Sequence, residues 1–335
     1  MACRSGALAI MEVFDRSEDR KGAPQLSGGG RRRIAVAVLA VTCWLAAPAT
    51  NRAAMLDVRK VSELAGVPAA ITADGVVRIT WPRTDVVVRV DGAAVKPFAG
   101  LTTWAAFAPS ASGATAAGEV IVFEDEVDAA VDAALAGGLQ VTALHNCFLH
   151  DDPRVYSLHI GGEGAADKLV AGVRDLWEAI KAVRRAHPQP SAPSEGKAPA
   201  PGRIDARAIE RIVERRTETQ DGVVKVTFSR DGLLRMTKIT ATMGLATWAA
   251  FSGSDRTAVL DGEIILTADE VSPVLRALRA AGIHVVALHN HMIGEQPTYY
   301  FAHFRGRGEA DRLAKAFVAA LTAQKNASKP GNVRS

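Results

Sequence analysis

Residues 287–304 read ALHNHMIGEQPTYYFAHF and bring His289, His291, Glu295 and His303 into one short stretch. Imidazole nitrogens and carboxylate oxygens are the donors that divalent transition ions take. Three histidines with one acid suit Zn²⁺, Mn²⁺, Fe²⁺ or Cu²⁺, and an open coordination position would permit catalysis. In a strand, residues two apart face the same way, so His289 and His291 project together. His303 lies on the next strand and joins them if the connection is odd in length or carries a bulge. Glu295 falls on the loop between and is free to swing in. The competing reading is a structural hairpin whose polar residues bond their own loop.

An altered edition lies at 143–160, ALHNCFLHDDPRVYSLHI. His145, Cys147, Asp151 and His159 precede His289, His291, Glu295 and His303 by a constant 144 residues, and Pro153 precedes Pro297 by the same interval. Cys147 replaces a histidine and Asp151 a glutamate, so each exchange keeps a metal-capable side chain. Two matched sites follow, the second the more intact. Glu119 and Glu263 each follow a glycine at the same interval, and either reach the site as a further ligand or base or cap a turn. The H-x-H-x3-E spacing also resembles the first motif of cupins, but a helix directly precedes this strand and no second motif follows.

The elements that must position these residues are duplicated too. Segment 56–66 has the apolar spacing of a short helix, and Asp74-Gly75 marks a turn. Segments 76–81 and 85–90 read as a strand hairpin, and 103–107 as a short strand or buried turn. A strand over 118–123 leads to a helix over 124–136, stopped by Gly137-Gly138. Strands over 139–146 and 154–159 and an amphipathic helix over 167–183 close the first copy. The second copy returns GLATWAAF for GLTTWAAF and GEIIL for GEVIV without a gap. A period this long marks two whole domains, not a solenoid. Each is expected as α-β-β-β-β-α-β-β-α, an α+β fold with a mostly antiparallel sheet, helices on one face and a buried Trp104 or Trp248.

The expected divisions are a signal peptide with an extended N-terminus at 1–49, repeat domains at 55–184 and 203–325, a Pro-rich linker at 185–202 and a disordered tail at 326–335. In the first of these, Arg31-Arg32-Arg33 precede an apolar run over 34–49 that ends in Ala47-Pro48-Ala49, the pattern of a secretory signal. The run is short for a membrane span, and no stable span is expected after cleavage. Of the three cysteines only Cys147 would survive, which leaves no intrachain disulfide. Net charge is +4, and residues 1–33, with seven basic and four acidic residues, carry most of it. The near-neutral remainder has no footprint for a nucleic acid.

GLATWAAF, GEIILTADEV, ALHNHMIGEQP and FAHFRGRGEADRLA together resemble the LppY/LpqO family of bacterial envelope proteins, built on a domain of unknown function. The resemblance spans nearly all of 56–321 and implies an exported protein with two related halves, without an assigned activity. The expected function is divalent-metal binding, zinc or manganese favoured, in a periplasmic or secreted protein that is either a metal-dependent envelope enzyme or a non-catalytic module for an envelope ligand or small molecule.

Overall fold

The computed structural model describes residues 56–190 and 202–328. The expected signal segment and tail residues 329–335 lie outside them, as does most of the expected linker. Among the described residues, six α-helices and a twelve-stranded antiparallel sheet form the two tandem copies. Across the sheet the first copy contributes, in spatial order, Ala69–Ile71, Val77–Pro82, Thr102–Ser110, Gly113–Phe123, Val155–Gly164 and Gln140–Asn146. The second copy continues with His284–His289, Tyr300–Gly308, Ala258–Leu266, Ala246–Gly253, Val223–Ser229 and Glu218–Gln220. The two copies therefore share one sheet, which the duplication alone did not dictate.

All six helices cover one face. Val58–Ala65 starts where the Asp57 carboxylate accepts from the Arg59 N–H and stops at Gly66, whose φ of 69° suits a residue without Cβ. Ala268–Ala280 opens with a Thr267/Glu270 capping box and buries Val271, Val274, Leu275 and Leu278. Ala166–Ala186 buries Leu169, Val173, Leu176 and Ile180. Strand alternation supplies the facing layer: Val120, Val122, Leu144, Leu158, Ile264, Leu288 and Ala302 all belong to the core under the helices.

Among the described residues, two small apolar clusters cover parts of the opposite face. A small cluster of Val86, Val88, Leu101, Ile121, Phe123 and Val155 sits there in the first copy, and Ile239, Leu245, Ile265, Tyr299 and Phe301 in the second. Each cluster accompanies a three-stranded sheet, Arg89–Val90, Ala93–Ala94 and Asp151–Asp152 in one copy, Gly232–Leu234, Thr237–Ile239 and Glu295–Gln296 in the other.

Two local expectations fail. Segment 85–90 does not pair with 76–81; its alternating valines pack onto the second face instead. Trp104 and Trp248 are not core residues. Their strand neighbours Ala105 and Ala249 face the helices, so both indoles point to the uncovered face and stay half-buried. Trp81 and Trp177, stacked with centroids 5.3 Å apart, are the buried pair.

Candidate functional site

The uncovered middle of the sheet carries the chemistry. Glu263 of the Ala258–Leu266 strand pairs with His303 of Tyr300–Gly308, and His303 pairs in turn with Ala287 of His284–His289. The last pairing follows a register shift between Val285 and Ala287. That bulge lets His289 and His303 share a face as diagonal neighbours. His291 lies just beyond its strand, its ring stacked on Phe301 at 3.5 Å between centroids. One ligand atom from each of Glu263, His289, His291 and His303 lies within 4.8 Å of all the others.

Glu263 is the anchor. Its Oε2 stands 2.8 Å from His303 Nε2 and 3.4 Å from His291 Nε2, and its side chain is 7% exposed. The glycine before it has a steric reason: a Cβ on Gly262 would come 2.6 Å from the Trp248 carbonyl oxygen, so only glycine lets the strands close there. Gly118 stands in the same relation to Trp104 O, at 2.8 Å. His289 Nδ1 lies 3.3 Å from the carbonyl oxygen of Asn290. A carbonyl only accepts, so this contact puts the proton on Nδ1 and leaves Nε2 with its lone pair for the cluster. Burial holds the His291 imidazole below its usual range, His289 and His303 add to the effect, and Glu263 opposes it. A neutral His291 is a ready ligand.

Glu295 is not among these residues. Its buried carboxylate accepts from the Tyr299 N–H at 3.1 Å and its backbone belongs to the small sheet. Asp151 does the same for Val155 N–H at 2.6 Å. The expected swing of Glu295 toward the histidines does not occur, because a buried N–H four residues on takes its oxygen, and Asp151 is held in the same way. The acid at the site is Glu263, signalled in sequence by the repeated glycine-glutamate pair.

In the first copy His145 and His159 come together, Nε2 to Nε2 at 3.0 Å, but the other two positions turn elsewhere. Cys147 Sγ lies 2.9 Å from Ser157 Oγ, and Ser157 donates to Glu119 Oε1 at 2.6 Å. Trp104 Nε1 donates to Glu119 Oε2 at 3.2 Å. Ser157 occupies the position of Phe301, so a hydroxyl holds the acid that is free to meet histidine in the second copy. Burial raises the Cys147 thiol above its ordinary range, with Glu119 and Asp151 adding and Ser157 opposing, which disfavours the thiolate that binds metal or attacks carbon.

Among solved structures, a double-ringed trimeric shell protein from the RMM microcompartment matches at 17% identity, over 65% of this chain and 85% of its own, with a TM-score of 0.19. The trimeric bacterial microcompartment shell protein PduB matches at 11% identity, over 76% of this chain and 89% of its own, with a TM-score of 0.17. Overlap this poor carries no argument about the present chain. No curated protein matches it. The family model described as Domain of Unknown Function (DUF1259) matches twice, over residues 59–179 and 207–323, and the chain belongs to that family in two copies.

Proposed function

We propose that the protein is an exported binder of a divalent transition ion, held in the second repeat by Glu263, His289, His291 and His303. The observation that carries this reading is the convergence of four donor atoms within 4.8 Å on an uncovered sheet face. Donors ~2.1 Å from a tetrahedral ion stand about 3.4 Å apart, so the most distant of these atoms would have to close by up to about 1.4 Å through side-chain rotation. Three imidazoles and one carboxylate suit zinc first, with manganese the alternative. The histidines are half-exposed, so the outer side of such an ion would face solvent and could take water or a small molecule. Export rests on the sequence of 31–49 alone.

Trp104 and Trp248 favour a second reading of the same face. Each lies half-buried beside the acid of its copy, and a cation sits over each ring, Arg78 at 4.3 Å and Lys225 at 4.7 Å. That suits a surface that holds an envelope ligand without transforming it.

Elemental analysis of untagged protein is the test. Near-stoichiometric zinc or manganese, with a melting temperature that falls on chelation, is the expected result. A metal-free protein indifferent to chelator would remove the reading.

A further inference from the structure

The repeats meet through equivalent strands, and the meeting point is a residue paired with its own counterpart. Leu144 and Leu288 are 144 positions apart and stand opposite each other in an antiparallel contact. A pseudo-two-fold axis therefore passes between them. One step further in that register, His145 comes opposite Ala287 and His289 opposite Ala143. The known pairings extend both rows outward. One runs Ala143, His159, Glu119, Trp104 and the other Ala287, His303, Glu263, Trp248. Each row carries a histidine of one repeat beside the histidine and acid of the other, with an alanine between. His145 and His289 are diagonal neighbours across the axis, a relation that spans about 7–8 Å.

His145 is prepared as His289 is. Its Nδ1 lies 3.0 Å from the Asn146 carbonyl oxygen, so the proton sits on Nδ1 and the Nε2 lone pair faces His159 Nε2 at 3.0 Å. Adjacent donors around an ion that binds imidazole at ~2.0–2.1 Å stand about 3 Å apart. The pair already has that separation.

We propose that His145 and His159 hold a second divalent ion, one diagonal step from the first, so that the two repeats build a single two-ion site across their axis. This rests on the metal reading of the Glu263 cluster. The second ion has two protein ligands, because Glu119 is held by Trp104 and Ser157 and Cys147 by Ser157. It is the weaker and more exchangeable of the two. Its remaining positions would take water, and because a single water bridges ions only about 4 Å apart, a small oxyanion with separate oxygens is the group that could link the two ions. Two imidazoles favour Cu²⁺, Ni²⁺ or Zn²⁺ over Mn²⁺.

Copper(II) titration of the untagged apoprotein, followed by electron paramagnetic resonance, tests this. The first equivalent should give the spectrum of an isolated ion, and the second a half-field transition from a dipolar-coupled pair. His145→Ala and His159→Gln, both at partly exposed positions, should abolish the second equivalent and the half-field signal and keep the first. Two equivalents without coupling, or a second equivalent indifferent to both variants, would overturn the shared site. One equivalent that His291→Ala removes would overturn it and leave the single-ion reading standing. No specific binding at all would overturn both.

Discussion

Glu263 Oε2 lies 2.8 Å from His303 Nε2, whereas the equivalent acid, Glu119, is turned to Ser157 and Trp104. The two copies share backbone and register, so the difference originates in side chains. A buried hydroxyl at 157 captures a carboxylate that the Phe301 ring at the matching position cannot bond.

That contrast fixes the first prediction. Glu263→Gln keeps the shape but removes the one anionic ligand of the cluster, and His291→Ala removes an imidazole. Both should weaken metal binding by more than the ~10–100-fold that outer-shell changes cost. Glu119→Gln should leave the tighter equivalent within a few-fold. Competition titration with a chromophoric chelator measures all three; equal losses for Glu119→Gln and Glu263→Gln would sink the distinction.

Much of this was legible in the sequence. The constant 144-residue interval gave the two copies, and alternation put His289 with His291, while His303 reaches their face only through the bulge between Val285 and Ala287. Other features are tertiary. Alternation cannot tell which face of a strand will be covered, so Trp104 and Trp248 read as core until Ala105 and Ala249 are seen under the helices. Glu295 is adjacent to the histidines in sequence, yet its oxygens are claimed by a buried N–H. Glu263 is distant in sequence and arrives by strand pairing. Nothing in a repeat interval says that Leu144 will pair with Leu288.

The Arg83–Glu126 and Arg230–Glu270 pairs tie strand to helix at equivalent places, and their burial differs. Arg83 is 1% exposed and forks onto Glu126 at 2.8 and 2.9 Å, while Arg230 is 26% exposed. Removing one partner of a buried pair costs about 3–5 kcal/mol. Arg83→Ala should fall toward the lower end, because Arg184 Nε remains 2.7 Å from Glu126 Oε1. Arg230→Ala should cost less, since water screens that guanidinium. Urea denaturation would show the order; a larger loss for Arg230→Ala contradicts it.

Glu270 sets a pH dependence. Burial pushes its carboxyl up, but Arg230, Ser328, Gln324 and the Thr267 N–H outweigh burial and hold it below its ordinary value. A depressed folded pKa means stability that is present above the unfolded carboxylate range and is lost as pH falls through the folded value. Glu270→Gln should therefore be destabilised near pH 7, and its deficit should shrink in acid. Melting curves from pH 7 to pH 3 test this, and a deficit constant across that range would contradict it.

Cys147 should be a slow thiol. Burial raises its pKa, so at any given pH less of it is thiolate, and alkylation depends on that fraction. Iodoacetamide should react more slowly with native protein at pH 8 than with the unfolded chain, and the pH midpoint of reaction should lie above that of a free thiol. A midpoint below it would show an activated cysteine and contradict the reading.

Glu295 and Glu263 can be separated by opposite phenotypes. The Glu295 carboxylate is 4% exposed as a residue and satisfies the Tyr299 N–H, in the small sheet that flanks the histidines. Glu295→Ala leaves that N–H buried without its acceptor, a loss of about 1–3 kcal/mol in stability. None of the four donors in the cluster is touched, so metal content at a temperature well below melting should be unchanged. Glu263→Gln should do the reverse in metal-free protein, altering stability little while losing the ion. Asp151→Ala should repeat the Glu295 result, since it accepts from Val155 N–H in the same way. Loss of metal from folded Glu295→Ala protein would return that residue to the ligand set and displace Glu263 as the acid of the site.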